Sequence, residues 1–175
     1  MKFRSVLAFS LLILALATLS MPSANASITK LTTQSVCNLL KELDLGATKE
    51  WHEYQDMDSW GCNSSYKDIG PGLTQYSMPN NLAFYAEGDV SSVKQVKLVV
   101  NINNKNQSQL AHKELLKAAS LLFLKTTGGE MPDSLKNVVL NGGSVSEKFD
   151  SLTIGVGKDV WPRKKGYSIH FTIKE

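Results

Sequence analysis

The stretch Ser108–Thr127, SQLAHKELLKAASLLFLKTT, constrains the fold more than any other part of the chain. Leu115, Leu116, Ala119, Leu122 and Phe123 recur at i, i+1, i+4, i+7 and i+8, which makes one apolar stripe on a helix of 3.6 residues per turn. Ala111, Ala118 and Leu121 widen the stripe, and Lys113, Glu114 and Lys117 fall toward the other side. From Ala118 to Leu124 the pattern is apolar almost all round, so other elements must cover it. A membrane span needs about 20 apolar residues, and this run is much shorter, bracketed by Lys117 and Lys125. Ser108 is placed to cap the helix and Gly128-Gly129 to end it.

What flanks this helix sets the fold class. Residues 60–66, 73–78, 82–87 and 93–103 read as strands before it, and 149–156 and 167–173 as strands after it. Val96, Leu98, Val100 and Ile102 alternate with Lys97, Val99 and Asn101, a half-buried strand; Tyr167, Ile169, Phe171 and Ile173 alternate in the same way with Ser168, His170 and Thr172. Residues 27–45 read as a first helix with Val36, Leu39, Leu40 and Leu43 inward, Thr32 or Thr33 as cap and Gly46 at its end. Within 47–60, Thr48 can cap a short helix that puts Trp51 and Tyr54 on one face. Pro132 opens another short helix, with Leu135, Val138, Val139 and Leu140 as its apolar face, and Asn141-Gly142-Gly143 stops it. Strands come in runs and do not alternate singly with helices. The expected class is therefore α+β: an antiparallel sheet of about five strands packed on one long helix, with an N-terminal helix and a short helix after the long one. This order of elements resembles that of the small α+β chaperones that hold secretion substrates, a resemblance of layout that assigns no activity.

The N-terminus reads as an export leader. Lys2 and Arg4 precede an apolar run from Val6 to Leu19, and Ser23-Ala24-Asn25-Ala26 ends in an A-x-A cleavage pattern. Cleavage after Ala26 makes residues 1–26 a signal peptide and leaves 27–175 as a single exported α+β domain, periplasmic or secreted. Lys2 and Arg4 leave with the leader, so the formal net charge falls from +3 to +1, which removes the support for a nucleic-acid-binding reading. Membrane contact is not expected once the leader is cut; a structural or envelope-associated role driven by the basic loop 157–166 is a third reading, in which Arg163, Lys164 and Lys165 give only weak attachment to headgroups. The two cysteines, Cys37 and Cys62, read as a disulfide in an exported chain.

Catalytic and metal signatures are incomplete. His52-Glu53 opens a zinc-protease pattern, but the second histidine would fall on Asp56. Asp56-Met57-Asp58 opens a calcium loop, yet its twelfth position is Lys67, which cannot close a site as a carboxylate does. No metal site and no cofactor are expected. There is no G-x-S-x-G and no phosphate-cradling glycine loop. The histidines, His52, His112 and His170, stand apart in sequence.

Two segments combine aromatics with charge. One holds Trp51, Tyr54 and Trp60 among Glu50, Glu53 and Asp58; the other holds Trp161 beside Arg163, Lys164 and Lys165. Aromatic and arginine side chains are the usual anchors of protein interfaces, and three clustered cations steer an acidic partner. A connector packed on the core and a solvated hairpin tip are the bland readings of the same residues. The functional expectation is an exported protein-binding module (an inhibitor, an immunity-type factor or an assembly helper) whose partner is another protein. The alternative is a small periplasmic hydrolase using His52 or His170 with a carboxylate such as Glu53 or Asp58.

Overall fold

The computed structural model describes residues 28, 31–55, 58–71 and 78–175. The expected leader lies outside these residues, as does all but the last residue of the strand expected at 73–78. The class is α+β. The chain runs through α1 (Thr33–Val36), β1 (His52–Glu53), β2 (Trp60–Asn63), β3 (Lys67–Ile69), β4 (Asn80–Gly88) and β5 (Val93–Ile102). It continues through α2 (Ser108–Thr127), α3 (Asp133–Asn141), β6 (Val145–Phe149), β7 (Leu152–Val160) and β8 (Tyr167–Lys174). Among the described residues eight strands form one sheet in the order β1-β2-β4-β5-β8-β7-β6, with β3 also on β4, and every pairing is antiparallel. The expected count of about five is too low. β2 and β3 share one edge of β4, against Tyr85–Gly88 and Asn80–Leu82 respectively. Between them Ser64 leaves the ladder, accepting from the Phe84 N–H through its Oγ while its own N–H donates to the Phe84 carbonyl.

The core follows from register. Leu82, Val100 and Ile169 lie in one cross-strand row, Phe84, Leu98, Phe171 and Val156 in the next, and Ala86, Val96, Ile173 and Ile154 in a third. All are buried on one face of the sheet, in one cluster with Ala111, Leu115, Ala118, Ala119, Leu122 and Phe123 of α2. A fully buried Leu or Phe contributes about 1.5–3 kcal/mol, so these rows outweigh any surface contact in the molecule. Phe123 also meets Phe149 of β6 edge-on, ring centroids 5.0 Å apart. The helix ends as expected, with Gly128 left-handed at φ 79° and donating to Leu124. Its start differs. Ser108 is already helical, and the chain enters through a 3-10 turn, Lys105–Gln107, capped by Asn104, whose side chain accepts from the Asn106 N–H.

The N-terminal segment departs furthest from expectation. In place of a helix across 27–45 there is the four-residue α1, capped by Thr32 and Ser35 in a reciprocal box, and then a 3-10 turn, Lys41–Leu43. Asp44, left-handed at φ 59°, ends that turn, not Gly46. The reason is tertiary. Cys37 caps α1 and is bonded to Cys62 of β2, with Cα atoms 5.8 Å apart, and the Ala47 N–H donates to the Cys37 carbonyl at 2.7 Å. The chain has to turn back there. The expected short helix within 47–60 is also absent among the described residues: Thr48 donates to Asn63 through its backbone N–H, and His52–Glu53 pairs with Trp60–Gly61. Lys125 fixes the segment from the other side by pairing with Glu42 and donating to the Leu39 carbonyl. The disulfide closes a loop of separation 25, which in the chain-entropy model stabilises by about 3 kcal/mol. Replacing both cysteines by alanine should lower the unfolding free energy in denaturant by about that amount; an unchanged midpoint would show that the bond fastens nothing.

Candidate functional site

A cleft of about 530 Å³ opens at the N-terminal edge of the sheet, between the end of α1, residues 47–51, the start of β2 and the turn after β4. Trp51, Trp60 and Val90 give it apolar surface, and Gln34, Thr48 and Glu50 are among its polar lining. The disulfide stiffens one wall, since Cys37 lines the cleft. Asp89 stiffens the other. Its carboxylate accepts from the Ser91 N–H at 3.0 Å, the Ser92 N–H at 2.8 Å and the Ser92 hydroxyl at 2.8 Å, and it faces Lys94 at 3.4 Å. Those donors, the Ser91 N–H foremost, hold the Asp89 carboxyl well below the usual range. The Trp51 indole N–H donates to the Asp89 carbonyl at 3.1 Å, so the tight turn fixes the ring at the cleft wall. Val90, 62 % exposed, stands at the mouth.

Tyr54, the third aromatic of this segment, packs on Gly61 of β2. A Cβ at Gly61 would come within 2.7 Å of the ring, so only glycine fits beneath it. The His52 ring meets Tyr54 edge-on at 5.2 Å. Burial first, then Glu87, pushes the Tyr54 hydroxyl up. A neighbouring cluster was not read from the sequence. On the outer face of β4 and β5, Tyr85 donates to Tyr66 at 3.1 Å, and Lys97 lies 5.1 Å from the centre of the Tyr85 ring. Lys97 pairs with Glu87 at 3.3 Å, and Gln95 donates to the other Glu87 oxygen at 3.1 Å. The signal was present, because these are the outward positions of two alternating strands, but nothing in an isolated strand shows which outward residues meet across the ladder.

The second aromatic–charged segment forms the β7–β8 hairpin. The Trp161 N–H donates to the Gly166 carbonyl at 3.0 Å, and its half-buried ring lies over Gly166, where a Cβ would stand 2.7 Å away. Arg163, at φ 59°, and Lys165 are exposed, and the Lys164 side chain lies outside what is described. The two segments do not meet. Trp60 is opposite Gly88, at the end of the sheet where β5 begins; Tyr167 is opposite Ile102, where β5 ends. The ten residues of β5 separate those ends by roughly 30 Å.

The histidines are dispersed. The His52 Nδ1–H donates to the Glu50 carbonyl at 2.8 Å, and neighbouring strand residues such as His52 and Glu53 point to opposite faces. His112 is buried and joins three elements: its Nδ1–H donates to the Leu140 carbonyl of α3 at 2.9 Å, and its Nε2 lies 3.0 Å from the Tyr167 hydroxyl of β8. His170 lies four strand spacings from β1, roughly 19 Å, so it cannot work with Glu53. Its carboxylate neighbour is Asp159, at 3.2 Å, with the Ser168 hydroxyl at 3.0 Å. Both contacts fall on Nε2, whereas a serine–histidine–aspartate relay needs the two ring nitrogens to serve opposite partners. Among the described residues no group of three or more His, Cys, Asp or Glu is placed to hold a metal ion; Asp56 lies outside them.

No protein-family model matches this chain, and no curated protein or solved structure does either.

Burial is the main influence on His170 and lowers its proton affinity; Asp159 raises it, and Lys97 lowers it. The unfolded chain therefore takes up this proton more readily, so the stability His170 contributes is complete above the ordinary value of about 6.5 and declines as pH falls below it. In an NMR titration the His170 midpoint should lie below that value, fall further in Asp159→Asn and rise in Lys97→Ala. A midpoint above the ordinary histidine value would contradict the burial of the ring.

Proposed function

We propose that this is an exported binding module that grips another protein at the cleft beside the disulfide. The observation that carries the reading is the cleft itself: two tryptophans and an exposed valine around a concave surface whose walls are tied by a covalent bond and by a turn that Asp89 holds through hydrogen bonds to Ser91 and Ser92. Rigid aromatic anchors around a preformed hollow lose little entropy on binding, which is what interface hot spots require. Trp51 and Trp60 are the anchors, with Tyr54 beside them. An inhibitor, an immunity-type factor and an assembly helper all fit this description. The leader pattern and the disulfide support an oxidising, exported setting. No helix of the described residues is long and apolar enough to cross a membrane.

A second reading, a small hydrolase, draws on one observation: His170 stands beside a carboxylate, Asp159, and a hydroxyl, Ser168. The shared nitrogen and the burial of Ser168 weigh against it, because a nucleophile must be reached by its substrate.

The cleft is tested by blocking its mouth without disturbing its walls. In capture experiments on native envelope extract, Val90→Arg and Thr48→Arg should each weaken retention of the partner about tenfold or more, at an unchanged melting temperature. Trp161→Ala should leave that retention intact, since the hairpin belongs to the other end of the sheet. Undiminished capture by both cleft variants would reject the cleft as the site.

A further inference from the structure

The β7–β8 hairpin is a second surface, independent of the cleft, and we propose that it docks the protein reversibly on an anionic lipid surface. Its shape comes from the sheet. The ladder between β6 and β7 ends at Val145 and Val156, so β7 runs past β6 from Gly157 onward, and β5 ends opposite Tyr167, so the turn 161–166 runs past β5 as well. The free edge of β7 and the turn beyond it carry Val160, 62 % exposed, and exposed Pro162 between the exposed cations Lys158 and Arg163, with Lys165 following. With Lys164, the segment 158–165 has four positive charges and one negative, Asp159. Arg163 and Lys165 make no ion pair among the described residues.

This chemistry favours lipid over an acidic polypeptide. A protein partner gains most from a large side chain inserted into a pocket, but the Trp161 ring is laid back on Gly166 and is not offered as such an anchor. What the hairpin offers instead is a small exposed apolar surface, Val160 and Pro162, among cations. A layer of phospholipid headgroups takes up that arrangement without a matching pocket: the cations meet phosphates, the valine and proline reach the acyl boundary, and the half-buried tryptophan lies at headgroup level. One such cluster without a second anchor gives weak, salt-sensitive attachment. From sequence, three charges alone give this loop only weak attachment to headgroups; the exposed Val160 adds an apolar contribution that the charges do not supply.

The test is co-sedimentation of exported protein whose N-terminus has been read, because an uncleaved leader would bind lipid by itself. Phosphatidylcholine vesicles containing about a third phosphatidylglycerol should retain it, pure phosphatidylcholine should not, and raising salt should release it. Arg163→Glu with Lys165→Glu should lower the partition coefficient about tenfold or more. Val160→Ser should lower it a fewfold while leaving its salt dependence unchanged. The exposed pair Lys117→Glu with Lys148→Glu, an equal change of charge away from the hairpin, should have a much smaller effect. Equal binding to neutral vesicles, failure to bind anionic ones, or equal losses in the two charge variants would overturn the proposal. So would hairpin-dependent binding to polyglutamate without binding to vesicles, which would assign the hairpin to an acidic polypeptide.

Discussion

The seating of α2 on one face of the antiparallel sheet is the constraint on which the rest of the molecule depends. Leu115, Leu122 and Phe123 are wholly buried in the cluster that holds Phe84, Leu98 and Phe171, and no hydrogen-bonded pair at the surface approaches the free energy of that burial. The sheet has one apolar face to cover, and α2 with α3 covers it. The other face is therefore left to polar residues, and it is there that Tyr85, Glu87, Gln95 and Lys97 meet. His112 belongs to the same construction. A histidine inside the helix layer is tolerated because both ring nitrogens have partners, Leu140 on α3 and Tyr167 on β8.

With the sheet fixed from behind, its two ends become separate places. At one, the N-terminal segment wraps the edge and is fastened by Cys37–Cys62, by the Ala47 pairing to Cys37 and by Lys125 reaching across from α2. Those ties leave a concave space walled by Trp51 and Trp60. At the other, β7 outruns β6 and the turn 161–166 passes the end of β5, leaving a basic tip. A hollow with rigid aromatic walls and a projecting charged point suit different kinds of ligand, which is why the two aromatic segments, so alike in composition, receive different assignments here.

Much of this architecture was legible in the residues. The span of α2 matched its pattern because stripe and terminal glycines agreed, but the expected cover of its second half is incomplete, since Leu124 is 46 % exposed. β5 and β8 were readable from clean alternation, and the disulfide from cysteine count and the leader-like N-terminal pattern. The short edge strands were not. β3 offers a single apolar residue, Ile69, β1 is two residues long, and β6 alternates Val145 and Phe149 around Ser146, Glu147 and Lys148; such strands exist because a neighbour supplies the ladder, not because their own pattern demands it. Lys148 on the outermost strand also protects that edge from unwanted pairing. The N-terminal helix was over-read because Val36, Leu39, Leu40 and Leu43 keep a helical period while the disulfide and the left-handed Asp44 turn the chain. Of the predicted site residues, Trp51 and Trp60 are brought together. The orientation of Trp161 over Gly166 was beyond reach, since it depends on a glycine five residues away and a register known only from the pairing.

Native-state hydrogen exchange resolved by residue tests the central claim most directly. If the helix is clamped on the sheet as described, amides from Leu115 to Phe123 and those of Leu98 and Phe171 should exchange most slowly of all, at rates set by global unfolding, while β1 and the β7–β8 hairpin exchange through local opening. Exchange in α2 as fast as in β1, with β5 and β8 still protected, would contradict the account, because the sheet would then be holding together without the helix said to close it.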